Sequence, residues 1–228
     1  MDSRLQACEV AGGAVVNCVV DRCEVHDVPS GAYACFRDYC RVTNTLVRSC
    51  SAHIFGAVRG HDAEFVNCTF ATNSGLTYIA NNAGSLSGDV KFLNCLFNSN
   101  VRGAAASDIS INNDDNSLNG WTDHVTFDSS YYGNFSAFGK LTAEVFAAKT
   151  GENKLEQCAN PKFVKDLRPD ASYWSLLPKS PIIGKGDASI WTAEDVDLVG
   201  KLRLKDGKVD PGCYQCWLRE PGMTMIVW

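Results

Sequence analysis

Five stretches of this chain repeat one short apolar motif, and a repeat of this kind narrows the possible folds more than any other feature. Four of them are Ala14-Val15-Val16-Asn17-Cys18-Val19-Val20, Arg41-Val42-Thr43-Asn44-Thr45-Leu46-Val47, Glu64-Phe65-Val66-Asn67-Cys68-Thr69-Phe70 and Lys91-Phe92-Leu93-Asn94-Cys95-Leu96-Phe97. A weaker fifth copy is Thr126-Phe127-Asp128-Ser129-Ser130-Tyr131-Tyr132. Asn17, Asn44, Asn67 and Asn94 stand 27, 23 and 27 residues apart, and Ser129 follows after another 35. A unit this short cannot bury its own apolar face, so it must stack on its neighbours, strand over strand about 4.8 Å apart. A period of this size with β-branched and aromatic cores points to a β-solenoid.

Superposing the copies yields vertical columns. Val15, Val42, Phe65, Phe92 and Phe127 form one apolar column, and Val20, Val47, Phe70, Phe97 and Tyr132 form another. Between them lie Asn17, Asn44, Asn67, Asn94 and Ser129, followed by Cys18, Thr45, Cys68, Cys95 and Ser130. The Asn column breaks the period-two alternation of a strand. Asn tolerates left-handed backbone and bonds local main chain, so it suits a bend between two strands of one coil. Stacked Asn amides can also pass hydrogen bonds from rung to rung. A second bend column is expected at Cys23, Cys50, Asn73 and Asn100, with further strands in Gly31–Cys35, His53–Val58, Thr77–Ala80 and Ala104–Ile111. The fold class these features indicate is all-β, a right-handed parallel β-helix. Leucine-rich repeats need a Leu signature that the chain lacks.

With 228 residues, 45% of them hydrophobic, the chain can bury a sizeable core as one elongated domain or one domain and a cap. A net charge of −5 with no basic-aromatic patch argues against nucleic acid as a partner. No apolar run approaches membrane-spanning length and no signal peptide opens the chain. The sequence enters in mid-coil, because Cys8 and Cys35 repeat the 27-residue spacing. Further coils are therefore expected to precede Met1. The 11 cysteines fall largely on ladder positions, where a thiol serves as a small buried hydrophobe. Side chains in register point in parallel, a poor geometry for disulfides. Cys213-Tyr214-Gln215-Cys216 is a lone CxxC without a second pair or a paired His, a weak metal or redox signal for which a structural role near Cys158 is expected.

Residues 1–135 read as coils and residues 136–228 as a short helix followed by an extended C-terminal module. In Leu141–Gly151, Thr142 is the expected N-cap, Leu141 staples onto Phe146, and Gly151 ends the helix. The tail then runs through Asn160-Pro161-Lys162-Phe163-Val164, Tyr173-Trp174-Ser175-Leu176, Ser180-Pro181-Ile182-Ile183-Gly184-Lys185-Gly186-Asp187, a segment from Asp197 through Gly200 to Arg203, and Val209-Asp210-Pro211-Gly212-Cys213-Tyr214. In this order the motifs resemble the C-terminal module of bacterial secreted right-handed β-helix proteins, often labelled choice-of-anchor or polysaccharide-lyase-like. The resemblance covers residues 160–216. Pro211, Cys213 and Gln215 depart from its pattern. It implies a structural module that covers the last coil and runs along the side of the solenoid, with Asp187, Asp197, Arg203 and Asp210 tying loops by salt bridges and turn bonds. It also implies an extracellular or cell-surface location and a polysaccharide partner.

Lyases of acidic sugars need a base to remove the proton α to the uronate carboxylate, and a cation to stabilise the enolate that forms. Arg41, Glu64 and Lys91 share an outward column, but their alternating sign matches a solvent-facing ion-pair ladder. The densest acid-base group is His53, Arg59, His61 and Asp62, with Arg59 or His61 as base and Asp62 as cation or substrate ligand. A long loop from Asn112 to His124 accounts for the 35-residue spacing, and long insertions in solenoids gather on binding faces. There Asp114, Asp115 and Asn116 are candidate Ca²⁺ ligands, although without EF-hand spacing. Trp121 is the candidate for stacking on a sugar face, and Asn113 and His53 are further candidate substrate contacts. No Ser/His/Asp elbow, phosphate loop or close acid pair with a clear groove setting emerges from the sequence. Three readings therefore stand side by side: a polysaccharide lyase or glycoside hydrolase, a non-catalytic glycan-binding surface protein, and a structural fragment of a larger solenoid.

Overall fold

The computed structural model describes residues 4–5, 10–16, 19–21, 34–49, 53–55, 63–73, 90–102, 105–106, 108, 125–134, 154–164 and 173–217. Among them there is no helix; the helix expected over 141–151 lies outside the described residues. The strands are β1 (Arg4–Leu5), β2 (Val10–Val16), β3 (Val19–Asp21), β4 (Ala34–Thr43), β5 (Leu46–Arg48), β6 (His53–Phe55), β7 (Ala63–Val66), β8 (Thr69–Ala71), β9 (Val90–Leu93), β10 (Leu96–Asn98), β11 (Val101–Arg102), β12 (Ala105–Ala106), β13 (Val125–Asp128), β14 (Ser130–Tyr132) and β15 (Leu155–Gln157). Two parallel sheets take almost all of them. One runs β13-β9-β7-β4-β2 with β6 beside β4, the other β1-β3-β5-β8-β10-β14-β15. Strands β11 and β12 form a small antiparallel pair, a departure from the single strand expected over 104–111.

The columns read from the sequence are the register of the sheets. Val15, Val42, Phe65, Phe92 and Phe127 are successive partners in the first sheet. Val20, Val47, Phe70, Phe97 and Tyr132 are successive partners in the second. Their rings stack: Phe65 on Phe92 at 5.0 Å, Phe92 on Phe127 at 5.1 Å and Phe70 on Phe97 at 4.9 Å, with edge contacts across the two columns. The bend between the sheets falls on the Asn column, where Asn44, Asn67, Asn94 and Ser129 have φ of 49°, 49°, 54° and 46°. Those are left-handed values, which Asn accepts at low cost. At the second bend the left-handed residues are Ser49, Thr72 and Ser99, one position before the column expected there. Asn73 and Asn100 instead line up as an amide ladder, with Asn73 Nδ2 donating to Asn100 Oδ1 at 2.9 Å.

The small residues after the Asn column are more than space-fillers. Thr45 Oγ1, Cys68 Sγ, Cys95 Sγ and Ser130 Oγ each donate to the carbonyl two residues back. Cys68, Cys95 and Ser130 also reach a carbonyl of the preceding rung, on Val42, Phe65 and Phe92 respectively. The column therefore selects a small side chain with one proton to give, which Cys, Ser and Thr share. Cys40, Cys68, Cys95, Cys158, Cys213 and Cys216 are all buried, and none of them is in a disulfide.

Asp108 ends the second amide ladder. It is fully buried, and its carboxylate accepts from the N–H of Asn100 at 2.8 Å and from that of Asn134. Burial pushes its carboxyl up to about 6, against the opposing pull of the backbone N–H groups. Between the ordinary value of 3.8 and about 6 the native state then holds more proton than the unfolded chain. Stability contributed by this group is full below that window and declines as pH rises through it. Asp108→Asn turns an amide NH₂ toward a backbone N–H. It is expected to cost about 1–3 kcal/mol and to flatten the pH dependence of the urea midpoint between roughly pH 4 and 6.

Candidate functional site

The C-terminal segment builds the site by docking on the two sheets. On the second sheet Leu46, Leu96 and Tyr131 point away from the inner column and are still buried, because Phe163, Trp174, Leu176, Ile182, Cys213 and Tyr214 cover them in one apolar cluster. Cys158 belongs to the same cluster as Cys213. Sheet strands buried on both faces read as continuous apolar runs, which is the pattern of the repeats.

The segment then follows the Asn bend, rung by rung. Asn44 Nδ2 donates to the Val196 carbonyl at 2.7 Å, and Asn67 Nδ2 donates to the carbonyls of Asp210 and Gly212. Asn94 holds Asp187 by both main-chain groups, accepting its N–H at 2.6 Å and donating to its carbonyl at 2.9 Å. Asn94 Nδ2 also reaches Asn67 Oδ1 at 3.0 Å. Gly212 passes so close to the sheet, at φ 87°, that a Cβ there would stand 2.6 Å from Thr69 Oγ1. Cys213 N–H donates to that same hydroxyl.

Of the four polar residues that the resemblance singles out, three form the buried lock of this segment. Asp197 accepts from the N–H groups of Val199, Lys201 and Gln215, and Asp210 from those of Gly184 and Cys216. These are the expected turn bonds. Arg203 departs from expectation: its guanidinium makes no ion pair among the described residues. Nε and Nη2 both donate to Asn44 Oδ1, at 3.1 and 2.7 Å, and Nη2 also donates to the Gly212 carbonyl. Trp191 lies 5.4 Å beneath it, its own Nε1 donating to Asn67 Oδ1. Burial lowers the Arg203 guanidinium to about 10, while attraction from Asp197 and Asp210 opposes that fall, so it remains a buried cation. Burial likewise raises the Asp210 carboxyl and pushes the Cys213 thiol up to about 12, leaving that thiol protonated and unsuited to nucleophilic chemistry. Among the described residues no three His, Cys, Asp or Glu side chains gather as a metal site.

Most residues proposed for chemistry from sequence fall elsewhere. Arg59, His61, Asp62, Asn113, Asp114, Asp115, Asn116 and Trp121 lie outside the described residues. His53 opens β6 and pairs with Ala34 of β4.

What the structure brings together is a groove of about 370 Å³ on the outer face of the first sheet, lined by Glu64, Lys91, Leu93, Thr126, Asp128, Lys154 and Asp187 together with Phe92 and Phe127, whose rings are buried in the inner stack. Strands β7, β9 and β13 supply its floor. The register places Glu64, Lys91 and Thr126 side by side on three consecutive rungs. Lys154 comes from just before β15, and Asp187 from the docked segment. Two ion pairs flank the centre. Arg41 Nε meets Glu64 Oε2 at 3.0 Å, and Lys154 Nζ lies 3.2 Å from Asp128. The expected ion-pair ladder stops there: Glu64 is turned to Arg41, the next rung offers Thr126, and exposed Lys91 has no carboxylate partner among the described residues. Asp187 is partly exposed. The Ser189 hydroxyl and N–H, helped by Lys154, hold its carboxyl below the usual range. The groove thus offers an ammonium without a carboxylate partner among the described residues, a hydroxyl and an ionised carboxylate above a partly apolar floor. Leu93 suits a sugar face, and the polar groups suit its substituents. Compared with protein-family models and with curated proteins, the sequence matches none.

Proposed function

We propose that this chain is a right-handed parallel β-helix protein of the cell exterior that binds an acidic polysaccharide along the groove over β7, β9 and β13. The coil reading draws support from the chain's alternation between two parallel sheets in sequence order. Parallel crossovers of this kind are right-handed in nearly all proteins. The location and the sugar partner draw support from the resemblance of residues 160–216 to secreted β-helix proteins. The observation that carries the binding reading is Lys91, an ammonium with no carboxylate partner among the described residues, set between two neutralised pairs on an open face. A carboxylate on a sugar ring supplies the charge that position lacks. Because Arg41 and Lys154 already neutralise Glu64 and Asp128, the groove favours holding a polymer over assembling a Ca²⁺-dependent lyase centre.

Calorimetric titration with oligogalacturonate, oligoalginate and a neutral glucan tests this reading. Binding is expected for one of the acidic oligomers, weakening as salt rises. Lys91→Ala is expected to weaken it about tenfold, the equivalent of about 1.4 kcal/mol. Equal affinity for the neutral glucan, or an unchanged constant in Lys91→Ala, would overturn it. Growth of ultraviolet absorbance from unsaturated product would instead assign a lyase.

A further inference from the structure

The groove is not made by the coils alone. Its lining includes Asp187, which belongs to the docked segment and lies 93 positions from the residue that holds it. Both main-chain groups of Asp187 are clamped by the Asn94 side chain, and Asn94 is itself fixed by its left-handed φ of 54° and by Asn67. The neighbouring Gly186 forms a short antiparallel bridge with Val209, its N–H donating to the Val209 carbonyl at 2.9 Å. The main chain that carries the Asp187 carboxylate is thereby fixed beside the groove. One carboxylate oxygen accepts the Ser189 N–H at 2.9 Å and orients the group. Asp187 stays ionised, so its remaining acceptor capacity is available to whatever fills the groove.

We infer that Asp187 is a specificity-determining residue of this groove, accepting hydrogen bonds from free hydroxyls of the bound sugar while Lys91 receives its carboxylate. This rests on the polysaccharide reading above and deepens it. An ammonium and a carboxylate lining one groove select a ligand that carries both an anionic group and unblocked hydroxyls. A neutral glucan lacks the first, and an O-acetylated uronate lacks donors for the second. Burying a carboxylate against an ester in place of a hydroxyl leaves the acceptor unpaired, which discriminates more strongly than a lost contact. The docked segment is thereby part of the binding machinery, with Asn94 as the residue that positions it.

The test uses the full chain and two probes, whichever acidic oligomer the parent binds and the same oligomer O-acetylated at its ring hydroxyls. The parent is expected to prefer the free oligomer about tenfold, and Asp187→Asn to reduce that preference to about twofold or less. The amide keeps an oxygen for the Ser189 N–H, so the thermal midpoint should stay near that of the parent. Asn94→Gly retains the left-handed bend and removes the clamp, and is expected to lose the preference as Asp187→Asn does. If the parent binds and Lys91→Ala weakens it while Asp187→Asn retains full discrimination, this inference fails and the polysaccharide reading stands. If the parent binds no acidic oligomer, both fall.

Discussion

Replacing Phe92 by alanine is expected to lower the stability of the chain by about 3–5 kcal/mol, seen as a drop in urea midpoint. Phe92 is 2% exposed and sits in the middle of the aromatic ladder, stacked on Phe65 at 5.0 Å and Phe127 at 5.1 Å. It also meets Phe70 and Phe97 edge-on, at 6.1 and 5.4 Å. Each such pair contributes about 0.5–1.5 kcal/mol beyond area burial. In a stack where each rung touches only its neighbours, a hole at the centre weakens two interfaces together. A cost for Phe92→Ala below about 1 kcal/mol would mean that the cavity collapses or fills.

Arg203→Ala is the second large effect. Arg203 is fully buried, and three of its hydrogen bonds join the docked segment to Asn44 and to the Gly212 carbonyl. Its removal orphans the Asn44 oxygen and strips the buried carboxylates Asp197 and Asp210 of the cation that attracts them. Breaking a buried charge network by deleting one member costs about 3–5 kcal/mol. The loss should concentrate in residues 173–217, so limited proteolysis is expected to cut the segment before the coils unfold. Arg203→Lys keeps the charge but not the fork that places two donors on one Asn44 oxygen, and should recover only part of the loss. Resistance of the segment to protease in Arg203→Ala would show that its apolar cluster suffices to hold it.

Much of this architecture was legible in the repeats. The aromatic and aliphatic columns could be read because stacking demands the same residue type at the same place on every rung, and Asn44, Asn67 and Asn94 because a left-handed bend selects few residues. Leu46, Leu96 and Tyr131 carried a further signal that went unread. Apolar residues at positions facing away from the inner columns mean that something covers the sheet. The hydrogen-bonding duty of Cys68 and Cys95 was visible only in the alternation of Cys with Thr45 and Ser130, which share one donor and little else. Lys91 was recognised as part of an outward column of alternating sign, and that pattern alone resembles a paired surface. Whether Glu64 turns toward Arg41 or toward Lys91 depends on side-chain geometry that spacing does not contain. Asp187 was read as a loop tie, and its place in the groove follows from a docking that brings it to Asn94 across 93 positions. Arg203 was expected in an ion pair, where instead the Asn ladder supplies its partner.

The most direct test of the groove is protection of its amines. Brief acylation of the full chain, followed by mass spectrometry, reports each lysine separately in the absence and presence of the acidic oligomer. Lys91 and Lys154 line the groove, whereas the exposed Lys162 and Lys208 do not. The account predicts that oligomer slows modification of Lys91, and of Lys154 to a smaller degree because Asp128 already engages it, with Lys162 and Lys208 unchanged. Unaltered labelling of Lys91 at saturating oligomer, or equal protection of all four amines, would contradict it.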